Sequence, residues 1–116
     1  MPPESRDPSY LWDMLDAARS VRQFTQGVTL EHYLKDPMMQ RAVERALEII
    51  GEAARRLSEG FRRTHREIAW QSIIGLRNIL VHEYGEVRPE RLWSIATEHI
   101  PELIQQIEPL LPPEEA

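Results

Sequence analysis

Cysteine is absent from this chain. That excludes disulfides and Cys-ligated zinc or iron–sulfur centres, and it fits a reducing compartment. Lysine is nearly absent: Lys35 stands alone against thirteen arginines. Long apolar runs are missing too, and none approaches the roughly 20 residues that span a bilayer. The opening MPPESRDPSY lacks the apolar core of a secretory signal. The expectation is a soluble, cytoplasmic protein with no membrane partner. An excess of positive charge is also lacking. The net charge of −5 and pI near 5.4 weigh against a dedicated duplex-DNA binder, whose domains are usually basic. There is no HExxH, no P-loop and no convincing carboxylate triad, so neither metal-dependent hydrolysis nor nucleoside triphosphate binding has support. No metal and no cofactor are expected.

Period-two alternation is missing as well, and with it any sign of a sheet. What is present is amphipathic helix, in a chain of 116 residues that suits one domain. The polar, Pro-rich ends, 1–6 and 112–116, read as flexible, and 7–111 as the folded unit. The first helix is expected from Asp7-Pro8, an N-cap with proline behind it, to Gln26-Gly27. Its stripe is Tyr10, Met14, Ala17, Val21 and Phe24. The connector VTLEHYLKDP has room for one short turn. The second helix is expected from Pro37 to Leu57, with a break at Gly60. Its row Glu44, Glu48, Glu52 reads as a solvated face, with Arg55 and Arg56 one turn beyond Glu52. The third is expected from the capping-box pattern Thr64-His65-Arg66-Glu67, or from nearer Trp70, to Tyr84. The fourth starts at Arg88-Pro89-Glu90, and Pro101 should kink or split it. The fold class is all-α, an up-down four-helix bundle with short loops. Trp12, Trp70 and Trp93 read as core anchors. His32, His65 and His99 read as surface or satisfied helix histidines.

One residue breaks the third helix's pattern. Trp70, Ile73, Ile74, Arg77, Leu80, Val81 and Tyr84 make one inward stripe, and Arg77 sits in its middle. A buried guanidinium must meet a carboxylate, an anion or a wet cleft. Glu48 and Glu52 of the second helix are both candidate partners. Asn78, His82 and Gly85 form a polar line beside that stripe, with Arg77 and His82 roughly 140° apart around the helix. A histidine can move a proton near neutral pH, and an arginine can hold phosphate oxygens and stabilise charge that grows in a transition state. Asparagine can orient either. If the attacking group is the 2′-hydroxyl of RNA itself, no metal is needed. Arg55, Arg56, Arg62, Arg63 and Arg66 cluster in RRLSEGFRRTHRE, either as a solvated helix end or as a patch that steers phosphate.

Arg77-Asn78-Ile79-Leu80-Val81-His82-Glu83-Tyr84 reads R-N-x-x-x-H-x-Y. It resembles the R-x4-H motif of HEPN-domain ribonucleases, with the H-x-Y of the HepT-like toxin branch. Ile49-Ile50-Gly51-Glu52-Ala53, the run from Trp70 to Leu76, Leu92-Trp93 and Ile100-Pro101-Glu102-Leu103 extend the resemblance along nearly the whole chain. It implies an α-helical bundle that dimerises and brings the motifs of two chains into one cleft. It implies metal-independent cleavage of RNA by a toxin. It also implies a minimal nucleotidyltransferase antitoxin, bound in a homodimer or a larger hetero-oligomer, that transfers AMP to the motif tyrosine. Carried over, Arg77 holds phosphate, His82 is the acid/base, Asn78 supports both, and Tyr84 accepts AMP. Glu52 and Glu83 stand as supporting residues. Two other readings compete with this one. One is a non-catalytic HEPN module that partners a nucleotidyltransferase. The other is a purely structural helical dimer in which Arg77 is a buried ion pair.

Overall fold

The computed structural model describes residues 6–83 and 87–111. The expected tails therefore lie, Arg6 apart, outside the described residues, as do Tyr84 and Gly85. Every regular element among the described residues is helical. α1 is Asp7–Thr25, α2 Leu30–Leu34, α3 Pro37–Arg56, α4 Glu59–Thr64 and α5 Trp70–His82. The last run is α6, Pro89–Ser94, a π-helical segment Ile95–His99, α7, Ile100–Ile107, and a closing 3-10 turn Glu108–Leu110.

Local chemistry explains most boundaries. Gly27, at φ 74°, takes the left-handed conformation that turns the chain out of α1. Thr29 caps α2 by accepting from His32 N–H at 3.1 Å, and Asp36 caps α3 by accepting from Met39 N–H at 3.0 Å, with Pro37 at the first helical position. Ser58 caps α4 by accepting from Phe61 N–H at 3.2 Å. Where a kink or split is expected, the last run carries a π turn. Ile100 N–H reaches back to Ile95 C=O, five residues earlier, one position before the proline that has no N–H to give.

Three boundary expectations are corrected. Asp7 does not cap α1; its carboxylate accepts from Ser58 N–H at 2.8 Å and from Ser58 Oγ–H at 2.7 Å, tying the start of α1 to the α3–α4 junction. The chain breaks at Leu57-Ser58, where Leu57 is buried with extended backbone, and Gly60 lies inside α4. Thr64-His65-Arg66-Glu67 is not a capping box. Thr64 ends α4, donating to Gly60 C=O at 2.9 Å, and α5 starts at Trp70. Buried Ile68 and the Trp70 indole, which donates to His65 C=O at 2.8 Å, hold the intervening loop out of helix.

The core is one cluster. Met14, Ala18 and Val21 of α1, Tyr33 of α2, Val43 of α3 and Ile107 of α7 are almost fully buried. Tyr33 tilts against Trp93 at 5.0 Å between ring centroids, and burial pushes its hydroxyl up to about 12, with the charge of Glu44 adding. Phe24, expected in the α1 stripe, is 39% exposed. Glu44, Glu48 and Glu52 are half-buried rather than a solvated face, and burial raises the Glu44 carboxyl first, Glu48 adding and Arg41 opposing. α1 packs on α3, α3 on α5, and α7 on α1. Between α5 and the last run a groove of about 1160 Å³ stays open, so the bundle is unclosed on one side.

Candidate active site

α5 carries the R-x4-H residues, and its inner edge crosses α3 at Gly51. There the stem of Arg77 lies against the glycine, and its guanidinium runs to the rim, with the side chain 22% exposed. Arg77 is therefore half-buried, not a fully buried charge. Its Nη2 meets Glu52 Oε2 at 3.1 Å, and its Nη1 donates to Asn78 Oδ1 at 3.1 Å. Of the two carboxylates that could have met it, Glu52 does. Glu48 pairs with Arg45 at 3.5 Å instead.

Glu52 holds more than Arg77. Arg55 donates to it in a fork, Nη2 to Oε1 at 2.8 Å and Nε to Oε2 at 3.3 Å, and Arg56 Nε donates to Oε1 at 3.0 Å. One carboxylate thus gathers three guanidiniums. The Arg55 hydrogen bonds lead in holding the Glu52 carboxyl down at about 2; burial opposes them, and the Arg56 hydrogen bond and the charges of Arg55 and Arg77 outweigh that opposition. The cluster keeps an excess of positive charge. Beside it, between α1, α3 and α5, lies a cleft of about 270 Å³ lined by Tyr10, Asp13, Arg45, Glu48, Arg56 and Arg77 among others.

Asn78 and His82 are exposed on α5, one turn apart. Val81, expected inside, is 41% exposed, while Trp70 and Leu80 are the stripe's buried members. Glu83 ends α5, is exposed, and lines the broad groove rather than the Arg77 cleft. Arg62, Arg63 and Arg66 lie on α4 and the loop after it and do not share the Glu52 cluster; only Arg55 and Arg56 of the arginine run do. His65 contacts Glu67 at 3.5 Å and packs on Phe61, and His32 contacts Asp36 at 3.4 Å. Among the described residues no group of three His, Asp or Glu side chains converges as metal ligands would. None of the described helices is long and apolar enough to cross a membrane.

The chain matches the family described as Ribonuclease HepT-like over residues 14–110. It belongs to that HepT-like ribonuclease family. Its HEPN-type, all-α fold agrees with that membership. Among similar proteins, one from Thermococcus cleftensis named Probable ribonuclease HepT is 40% identical over 101 residues, 87% of this chain and 92% of that one. A candidate RNase of Methanocaldococcus jannaschii is 37% identical over 100 residues, covering 86% of this chain and 92% of its own. Another, from Caldanaerobacter subterraneus subsp. tengcongensis, is 37% identical over 102 residues, 88% and 91% of the two chains. No solved structure matches.

Sequence reasoning about this HepT-like chain passed over two features. Tyr10 and Asp13 line the cleft from α1, and only the packing of α1 on α3 brings them there. Gly51 was visible as a glycine in mid-helix, a position that costs about 1 kcal/mol relative to alanine and so asks for a packing reason.

Proposed function

We propose that this HepT-like protein is a metal-independent endoribonuclease, the toxin of a toxin–antitoxin pair, acting on RNA in the cytoplasm. The observation that carries the reading is Arg77, held at a rim by Glu52 and Asn78 on the helix that also exposes His82, in a chain of a ribonuclease family. In this reading the Arg77 guanidinium binds the non-bridging oxygens of a phosphodiester and stabilises the charge that grows on them. His82 moves the proton. The RNA 2′-oxygen loses its proton to a base and bonds to phosphorus. The bond from phosphorus to the 5′-oxygen breaks, and that oxygen takes up a proton. The products are a 2′,3′-cyclic phosphate and a 5′-hydroxyl. Asn78 fixes the guanidinium plane, and the positive surplus around Glu52 draws the RNA backbone to an acidic protein.

The active form in this proposal is a homodimer. Ile73, Leu76 and Ile79 of α5 face the open groove, whose rim mixes Glu83 and Glu102 with Arg88 and Arg91. An apolar floor with both charges around it suits a second copy of the same surface. The antitoxin in this proposal is a minimal nucleotidyltransferase that places AMP on Tyr84, two residues past His82, where added phosphate charge would repel RNA. Purified protein free of its partner, incubated with mixed RNA in excess EDTA, is expected to generate 2′,3′-cyclic phosphate ends, and His82→Ala to abolish them while remaining folded. Cleavage that survives His82→Ala contradicts the assignment. Mass spectrometry after exposure to the transferase and ATP is expected to find one AMP on Tyr84.

A further inference from the structure

Gly51 lies where α3 meets the Arg77 stem of α5. A Cβ built on it overlaps the Arg77 Cβ and lies 3.0 Å from both Arg77 Cγ and the Ile73 carbonyl oxygen. Side-chain atoms do not settle at such distances, and what they meet here is backbone and the first carbons of a stem, which cannot swing aside. Any residue larger than glycine must therefore move α5 off α3 at the level of Arg77. By contrast, a Cβ built on Gly75, two residues before Arg77 on the groove side of α5, would meet nothing outside its own stretch of helix within 4 Å. Gly51 also directly precedes Glu52, so one turn of α3 both receives the Arg77 stem and presents the carboxylate that meets its guanidinium.

We propose that Gly51 is a positioning residue for the R-x4-H helix. Its missing side chain lets the Arg77 stem seat on α3, which sets the guanidinium at the rim between Glu52 and Asn78. Gly51 itself touches no substrate. It acts through Arg77, and as a statement about RNA cleavage the proposal rests on the nuclease reading above. Misplacing a charged group by about 1 Å can cost on the order of 100-fold in rate.

The test is Gly51→Ala in the full chain, read in two ways. The first needs no activity. Arg77 side-chain N–H resonances in 15N-labelled protein are expected to move toward those of a solvent-exposed arginine, while those of Arg55, bound to the same Glu52, stay in place. The second is single-site kinetics on RNA, where kcat is expected to fall ~10- to 100-fold with KM changed far less, since transition-state charge is what the displaced guanidinium fails to meet. Unmoved Arg77 resonances overturn the proposal, and so does a shifted resonance with unchanged kcat. A wild-type protein inert toward RNA overturns the nuclease reading alone, and the resonances still decide whether Gly51 seats Arg77. Should Gly51→Ala fail to fold, the comparison moves to an Arg77→Gly background, where the overlapping carbons are gone. Gly51→Ala is then expected to be tolerated, and equal damage in both backgrounds would show that Gly51 serves only general packing.

Discussion

Glu52 faces three guanidiniums with one negative charge, and its ionisation is therefore tied to the cluster's integrity. Its carboxyl titrates at about 2 in the folded chain against an ordinary 4.5. A depressed folded value means that the stabilisation is fully present above the ordinary value. It is lost as pH falls through the folded one. Because Glu52 sits near the surface, each pair contributes modestly, and the three together should amount to about 1 kcal/mol. Glu52→Gln should thus lower Tm by about 3–6 °C at pH 7, and the gap to wild type should close between pH 4.5 and pH 2. Thermal melts of both proteins across that range check the sign. A gap that persists unchanged at pH 2 would show that Glu52 acts by packing rather than charge. Arg77's need of a partner was legible in the sequence because a charge interrupted an apolar stripe. The choice of Glu52 over Glu48 was not, since both lie on α3 one turn apart, and only the crossing point at Gly51 decides which reaches α5.

Among the elements, the most legible helix is the one with a periodic apolar face and a capped proline start. α3 runs almost as its pattern implies, with Asp36 and Pro37 at its head. The failures fall where a local signal was outweighed by a distant contact. Asp7 looks like a cap for its own helix, yet Arg6 takes the N-cap position and the Asp7 carboxylate turns to Ser58, 51 residues away, which offers it two donors. Thr64 and Glu67 looked like a helix start, yet Ile68 must go inside and the Trp70 indole must find the His65 carbonyl. Pro101 reads as a kink or split, and the structure answers it with a π turn just before the proline, where Ile100 N–H reaches Ile95 C=O. The Asp7–Ser58 clasp yields a prediction of its own. Asp7→Ala removes two charge-assisted hydrogen bonds that join α1 to the α3–α4 junction. It should cost about 1–2 kcal/mol in denaturant unfolding with an unchanged m-value. No measurable loss would mean that water replaces the clasp.

On the scale of the whole molecule, the unclosed side of the bundle matters most. α5 packs on α3, and the last run packs on α1, leaving the apolar flank of α5 along a groove on the same helix that carries the proposed cleavage residues. The sequence carried the helices that bound this groove but not the groove itself, because their spacing depends on how three other helices stack. In the homodimer proposed above, Ile79, 37% exposed on α5 and lining the groove, lies between copies. Ile79→Glu should leave the monomer folded, convert a sedimenting dimer to monomer, and remove cleavage by more than ~10-fold with Arg77 and His82 intact. The estimate rests on a buried unpaired carboxylate at an interface costing several kcal/mol. A variant that stays dimeric and active would place the interface elsewhere.

The most direct test concerns the bond that is broken. Wild-type protein freed of its partner is given an RNA oligonucleotide in excess EDTA, and the cut is mapped. The same oligonucleotide is then made with a single 2′-deoxy nucleotide on the 5′ side of that cut. The account predicts a 2′,3′-cyclic phosphate at the all-ribose site, no cleavage at the deoxy-substituted one, and no cleavage of either by His82→Ala. Scission at the deoxy site, 3′-hydroxyl ends, or an enzyme silenced by EDTA would contradict it.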